Sequence, residues 1–264
     1  MNDTWVDGYY EALDFFFWEP QHLGRMTNPA ARYKGHADVQ EHVRRLEVTL
    51  NHQIKFFFSL APNQLRNRIF ESVFSKQRLA ATFSMDDGRF DTTYELKGKV
   101  QPDLLFTSED VTVSVEMKID AKSDPDQVLK YALLALAVEQ KQKHKMEHFL
   151  LFLGKHTFSG LWTGLCNSVE DLRSHLDLNA NASTFLQGKP AHFQREEARF
   201  LEIVSTLSFG FVNYGELAGL LEKEITPTDK SEGAEVYSNL VGGMVRELRR
   251  RELAPAPLSH DGPV

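Results

Sequence analysis

Between Val111 and Gly154 the chain reads strand, long helix, strand, and that order leaves few ways to fold. VTVSVEMKI (111–119) carries the alternation and β-branched weight of a strand, and EHFLLFLG (147–154) is an apolar run ended by glycine. Between them lies AKSDPDQVLKYALLALAVEQKQKHK, read as one long helix. Asp124 suits its N-cap, Pro125 its first position and Gln127 the capping-box position. A helix joining two strands predicts a crossover unit, with the second strand parallel to the first in one sheet. KVQPDLLF (99–106) adds a hairpin partner on the other side, turning through TSEDVT. The expected class is therefore α/β, a mixed central β-sheet flanked by helices.

The flanks read differently. Residues 1–60 predict a helical extension, in which Val39, Val43, Leu46 and Leu50 form a stripe at helical spacing. Pro62 suits the first turn of a further helix, with Leu65, Ile69 and Val73 on its apolar side. MDDGRF (85–90) is a turn signal between strand-like segments. The core is thus expected over 61–155. Residues 156–251 predict a C-terminal helical region packed on that core, and 252–264 a disordered tail.

The start, MNDTWVDGYYEALDFFFW, has no basic region ahead of its apolar part and no small-residue cleavage site, and no run reaches membrane-spanning length. A cytoplasmic location with no membrane partner is the expectation. Cys166 is the single cysteine, so an internal disulfide and a cysteine-rich zinc site are both excluded. The formal net charge of -7 argues against a surface coated in non-specific nucleic-acid contacts, and leaves room for a local basic groove. No phosphate loop of the G-x-x-x-x-G-K-[ST] form and no G-x-S-x-G elbow is present. The histidines lack a metal-binding spacing.

Strand period places Ser114, Glu116 and Lys118 on one face and Val113, Val115, Met117 and Ile119 on the other. The apolar face is expected in the core and the polar face is expected to open toward a cleft. A turn near Ser108–Asp110 brings Asp103 across from Glu116. Two carboxylates and a lysine then meet at the open end of a sheet. Magnesium prefers oxygen ligands, so Asp103 and Glu116 suit it, helped by the Met117 backbone carbonyl. Such a metal lowers the pKa of water and stabilises charge on a phosphate, while Lys118 can position the water or act as a base. Taken alone, E-x-K says little, because an exposed Glu–Lys pair contributes roughly 0–1 kcal/mol and is common on surfaces. The Pro102-Asp103 pair upstream and the long helix downstream supply the context.

With Pro102-Asp103 followed by Glu116-Met117-Lys118, residues 60–155 resemble the PD-(D/E)xK nuclease superfamily. The resemblance implies a restriction-endonuclease-like core, with Asp103 and Glu116 on Mg2+ (Mn2+ as its substitute) and Lys118 assisting the attacking water. Gln127 and Tyr131 match the Q-x-x-x-Y element of RecB-type and Cas4-type members, where the pair belongs to the active site or the substrate. They stand one helical turn apart. An acidic residue from the first core helix often completes such a site; Glu71 is the candidate, as catalytic residue and metal ligand, with Glu47 the weaker alternative.

The implied activity is hydrolysis of DNA phosphodiester bonds. The alternatives are an RNA-cleaving nuclease and a non-catalytic nucleic-acid-binding or assembly module of a defence or repair complex. A homodimer or a partner subunit is compatible with either. Lys130, Arg66 and Arg68 are candidates for nucleic-acid contact. Asp120 and Asp124 read as turn and cap residues. KQKHK (141–145) and RELRRREL (246–253) read first as solvated helix ends.

Overall fold

The computed structural model describes residues 6, 9–10, 47–74, 81–86, 96, 100, 102–162, 166–176, 179–225 and 232–256. They divide into two compact units, one formed by 62–213 and the other by 1–61 with 214–264. None of the described helices is long and apolar enough to cross a membrane.

The unit 62–213 is built on a mixed sheet that has five strands among the described residues. Helix α1 (Glu47–Leu60) belongs to the other unit, and α2 (Asn63–Phe74) opens this one. Then come β1 (Ser84–Met85), β2 (Leu104–Thr107), β3 (Val111–Lys118), α3 (Pro125–Gln142) and β4 (Glu147–Gly154). Four short helices come next, α4 (Phe158–Leu161), α5 (Val169–Leu176), α6 (Asn179–Gln187) and α7 (Ala191–Gln194). Helix α8 (Glu197–Thr206) leads into β5 (Ser208–Asn213). Strand order follows the chain, β1-β2-β3-β4-β5. The first three strands pair antiparallel, whereas β3, β4 and β5 run parallel.

The expected crossover is present. Helix α3 starts on Pro125, and the Asp124 side chain accepts from Asp126 N at 2.8 Å. It stops at Lys143, which takes the left-handed conformation (φ 64°) and donates its N–H to the Glu139 carbonyl. Val128, Leu129 and every residue of Tyr131–Glu139 are buried, which makes α3 a central element and not a surface helix. It covers the sheet face that carries Leu105, Leu150 and Phe152, joined there by α5, α6 and α8 through Leu172, Leu186, Phe200 and Ile203. The opposite face receives α2: Phe70 meets Phe106 edge-on, and Phe74 tilts against Phe149.

This two-sided cover corrects one expectation. The polar face of β3 does not open along its length, because α3 lies over it and Thr112, Ser114 and Glu116 are all buried. At its carboxyl end Lys118 is half-buried, and Asp120 just beyond is exposed. A second correction is β5. SFGFVN was read as part of a helical C-terminal region, yet it extends the sheet in parallel with β4, so the sheet does not end at Gly154. Gly210 explains how α2 comes so close to this strand. A Cβ there would lie 2.6 Å from both Val73 Cγ1 and Phe74 Cε1. Gly210→Ala is expected to push α2 away and destabilise the unit by about 1–3 kcal/mol, read as a lowered urea midpoint.

The sheet's amino-terminal end holds a buried polar cluster. His148 Nδ1 lies 2.6 Å from the Thr112 hydroxyl, and His148 Nε2 donates to Glu139 Oε1 at 3.0 Å. Glu139 also accepts from Met146 N at 2.7 Å and from Arg199, whose Nε is 2.7 Å from Oε2. Lys145 continues the chain to Glu202. KQKHK is thus a helix end pinned in place, with His144 Nε2 donating to the Glu109 carbonyl at 2.6 Å.

The other unit is helical. Leu50 on α1 is buried as expected, while Val39, Val43 and Leu46 lie outside the described residues. Helices α9 (Tyr214–Glu222) and α10 (Glu232–Arg250) pack together, and α10 also touches α1. The solvated reading of RELRRREL does not hold: Glu247 is buried, Arg251 Nε reaches it at 2.6 Å, and that arginine side chain is 1% exposed. Of the expected tail, 252–256 are described, with a turn at Arg251–Glu252 followed by bends, and the rest lies outside the described residues.

Candidate active site

The register of β2 on β3 sets the site. Leu104 pairs with Val115, so one further step places Asp103 opposite Glu116. The ladder cannot simply continue, since the preceding Pro102 has no N–H to donate. Instead the Asp103 side chain takes over, its Oδ2 accepting from Met117 N at 2.6 Å. This bond ties a half-buried carboxylate to the strand that carries Glu116 and Lys118.

Glu116 is 3% exposed, which makes its surroundings decisive, because a buried carboxylate is costly unless it is paired and hydrogen-bonded. Three donors converge on it. Lys118 Nζ lies 2.7 Å from Oε1, Gln127 Nε2 donates to the same oxygen, and the Tyr131 hydroxyl donates to Oε2. Gln127 and Tyr131 reach it together because they stand four residues apart on the first turns of α3. The Gln127 side chain is thereby taken from the expected capping box; its backbone N–H still bonds the Asp124 carbonyl at 2.8 Å. Burial pushes the Tyr131 phenol well above its usual range, and the charges of Glu116 and Asp103 push it further. The protonated phenol is thereby favoured, the form that donates to Glu116.

Five of the residues singled out in the sequence thus meet at one point: Asp103, Glu116, Lys118, Gln127 and Tyr131. Gln127 and Tyr131 hold the carboxylate, and Tyr131 is too deeply buried to touch a phosphate. The remaining candidates take other positions. Glu71 is half-buried on α2, the helix of the opposite sheet face, and forms no hydrogen bond or ion pair with the five. Arg66 on α2 is committed to the sheet edge: its Nη1 donates to the Phe83 carbonyl at 3.0 Å and its guanidinium lies 5.9 Å from the Phe106 ring centre. Arg68 and Lys130 are exposed. Glu47 opens α1 in the other unit.

One neighbour of the site is absent from the sequence expectations. Lys118 pairs with Gly154 in the parallel ladder, and the next residue, Lys155, donates its N–H to the Lys118 carbonyl at 3.2 Å. The signal was the glycine-ended strand EHFLLFLG, because its register on β3 carries Lys155 to the end of the strand that bears Lys118.

Among the described residues no group of three or more His, Cys, Asp and Glu side chains comes together as a metal cage. The donor set nonetheless fits magnesium, which is commonly held by one or two carboxylates and keeps water and substrate phosphate for the rest. A carboxylate offers about four lone-pair directions. With donors from Lys118, Gln127 and Tyr131 in place, Glu116 has one left for a cation. Comparison with protein-family models, with curated proteins and with solved structures finds no match to this chain.

Proposed function

We propose that this chain is a Mg2+-dependent nuclease that hydrolyses DNA phosphodiester bonds, on a restriction-endonuclease-like core of the PD-(D/E)xK kind. The observation that carries this reading is the buried Glu116 carboxylate, held by Lys118, Gln127 and Tyr131 beside Asp103 at the carboxyl end of β3. A strand carboxylate with only a structural part needs no partner carboxylate across the hairpin and no lysine at its accessible edge.

Asp103 and Glu116 are the residues that would hold Mg2+, with the Met117 carbonyl beside Glu116 in sequence. When bound, Mg2+ supplies Lewis acidity toward the phosphodiester and makes water a stronger nucleophile. Gln127 and Tyr131 fix the Glu116 rotamer, so its geometry is set before substrate arrives. Lys118, half-buried, keeps a compact positive charge where the scissile phosphate gains negative charge, and its ammonium can orient the attacking water. The net charge of -7 confines DNA attraction to a local track instead of the whole surface.

The test is digestion of linear, circular and single-stranded DNA and of RNA, with Mg2+ or with a chelator. Wild-type protein is expected to cut DNA only with the metal, and Lys118→Ala to be slower by about 10²–10⁴-fold. Equal rates in the two proteins would sink the assigned roles. Preference for RNA would move the substrate class, and binding without cleavage would favour a non-catalytic module.

A further inference from the structure

Two loops meet beside Lys118 and are stitched together. The end of β3 with the loop after it (118–124) and the segment after β4 (155–161) share three ties. Lys155 N donates to the Lys118 carbonyl at 3.2 Å, Ser123 N to the Leu161 carbonyl at 2.8 Å, and the Lys122 ammonium to the Gly160 carbonyl at 2.5 Å. Gly160 is close-packed within its own segment, because a Cβ there would lie 3.0 Å from His156 Cβ. The seam therefore presents Lys155 and His156, both exposed, from a fixed backbone at the carboxyl ends of β3 and β4.

Charge is unevenly divided across it. The exposed acids Asp120, Asp124 and Asp126 come from the loop after β3 and the first turn of α3. The stretch KHTFSGLW (155–162) carries no acid at all. Lys155 lies 3.9 Å from Asp120, whose side chain is 74% exposed. An ion pair that long and that wet is weak, so the ammonium can turn to a phosphate at little cost. Lys122 retains two N–H groups after its bond to Gly160.

We infer that Lys155, with His156 beside it, binds the backbone phosphate next to the one being cleaved, so that the polynucleotide strand crosses the carboxyl ends of β3 and then β4. This rests on the nuclease reading above and adds the direction in which the substrate lies. Neighbouring strands are about 4.8 Å apart, so Lys155, one residue past the partner of Lys118, starts within a single nucleotide's reach of the reacting phosphate. Asp124 and Asp126, at the start of α3, repel the strand from the other path, while Asp120 is the partner that Lys155 leaves for the phosphate.

Steady-state cleavage of a labelled DNA oligonucleotide at several salt concentrations tests this, with wild type, Lys155→Ala, Lys155→Arg, His156→Ala and, as a control, Lys141→Ala at the far end of α3. Lys155→Ala is expected to raise KM about tenfold with kcat changed less than about twofold. Its dependence of log KM on log salt should become shallower by about 0.7–0.9. Lys155→Arg should restore most of the affinity, His156→Ala should show a smaller rise in KM, and Lys141→Ala should match wild type. Cleavage by wild type with KM and salt slope unchanged in Lys155→Ala overturns the track alone. An equal effect from Lys141→Ala also overturns it, because the change is then one of overall charge. A wild-type protein that neither binds nor cuts nucleic acid overturns both the track and the nuclease reading.

Discussion

Glu116→Ala is expected to abolish Mg2+-dependent cleavage, a loss of about 10⁴-fold or more, and to destabilise the unit 62–213 as well. Both effects arise from one carboxylate. It is one of the two groups placed to hold the metal, and it is the acceptor for Lys118, Gln127 and Tyr131. Its removal takes away the acceptor that the three share at a buried point, at a cost of about 1–3 kcal/mol. Tyr131→Phe separates the two roles. The carboxylate remains but one of its donors is gone, so metal affinity or activity should fall by about 10–100-fold with the Mg2+ optimum shifted upward. Titration of cleavage rate against Mg2+, beside urea melts of each variant, checks the pair. Near-wild-type cleavage by Glu116→Ala would remove the carboxylate from the reaction.

Arg199→Ala is expected to be the most damaging change away from the site, at about 3–5 kcal/mol, because it strands a buried charge. The Arg199 side chain is 14% exposed and that of Glu139 is 7% exposed. Burial pushes the Glu139 carboxyl up, but hydrogen bonds from Arg199, His148 and Met146 N overcome it and hold the group at about 2. A carboxyl whose folded pKa lies below its unfolded value stabilises the fold above the unfolded value. For wild type this contribution should be complete at neutral pH and should fade as pH drops from roughly 4.5 toward 2. In Arg199→Ala the main lowering partner is missing, so the acid loss should begin at a higher pH. Urea melts of both proteins between neutral pH and pH 3 read this directly, and identical acid profiles would refute it.

The site was more legible than the frame around it. Asp103, Glu116 and Lys118 could be placed because strand alternation and a short hairpin turn are local signals, and Gln127 and Tyr131 because helical spacing is. Burial of Glu116 was not legible, since it depends on how α3 lies across the sheet, and a lone Glu on a strand reads as solvent-facing. Strand β5 was missed for a related reason. SFGFVN is short and comes directly after an amphipathic helix, and only the open edge of β4 selects it as a strand. Arg251 was misjudged because a run of arginines carries no sign of the buried Glu247 that pairs with it. Glu71 shows the opposite limit: its helix was foreseen, but the sheet face that the helix would cover was not.

The pairing of β4 with β5 also bears on how the protein assembles during synthesis. Phe149 cannot meet Ser208 until the whole stretch from Lys155 to Leu207 has emerged and condensed into α4–α8. Long-range parallel pairing forms slowly, because the loop must close before its contacts reward it. The hairpin and the β3–α3–β4 crossover can form earlier, leaving the apolar β4 with one unpaired edge in the nascent chain. That interval is when chains of this sequence are most exposed to strand-to-strand association with one another, so slower growth at lower temperature should raise the yield of correctly closed sheets.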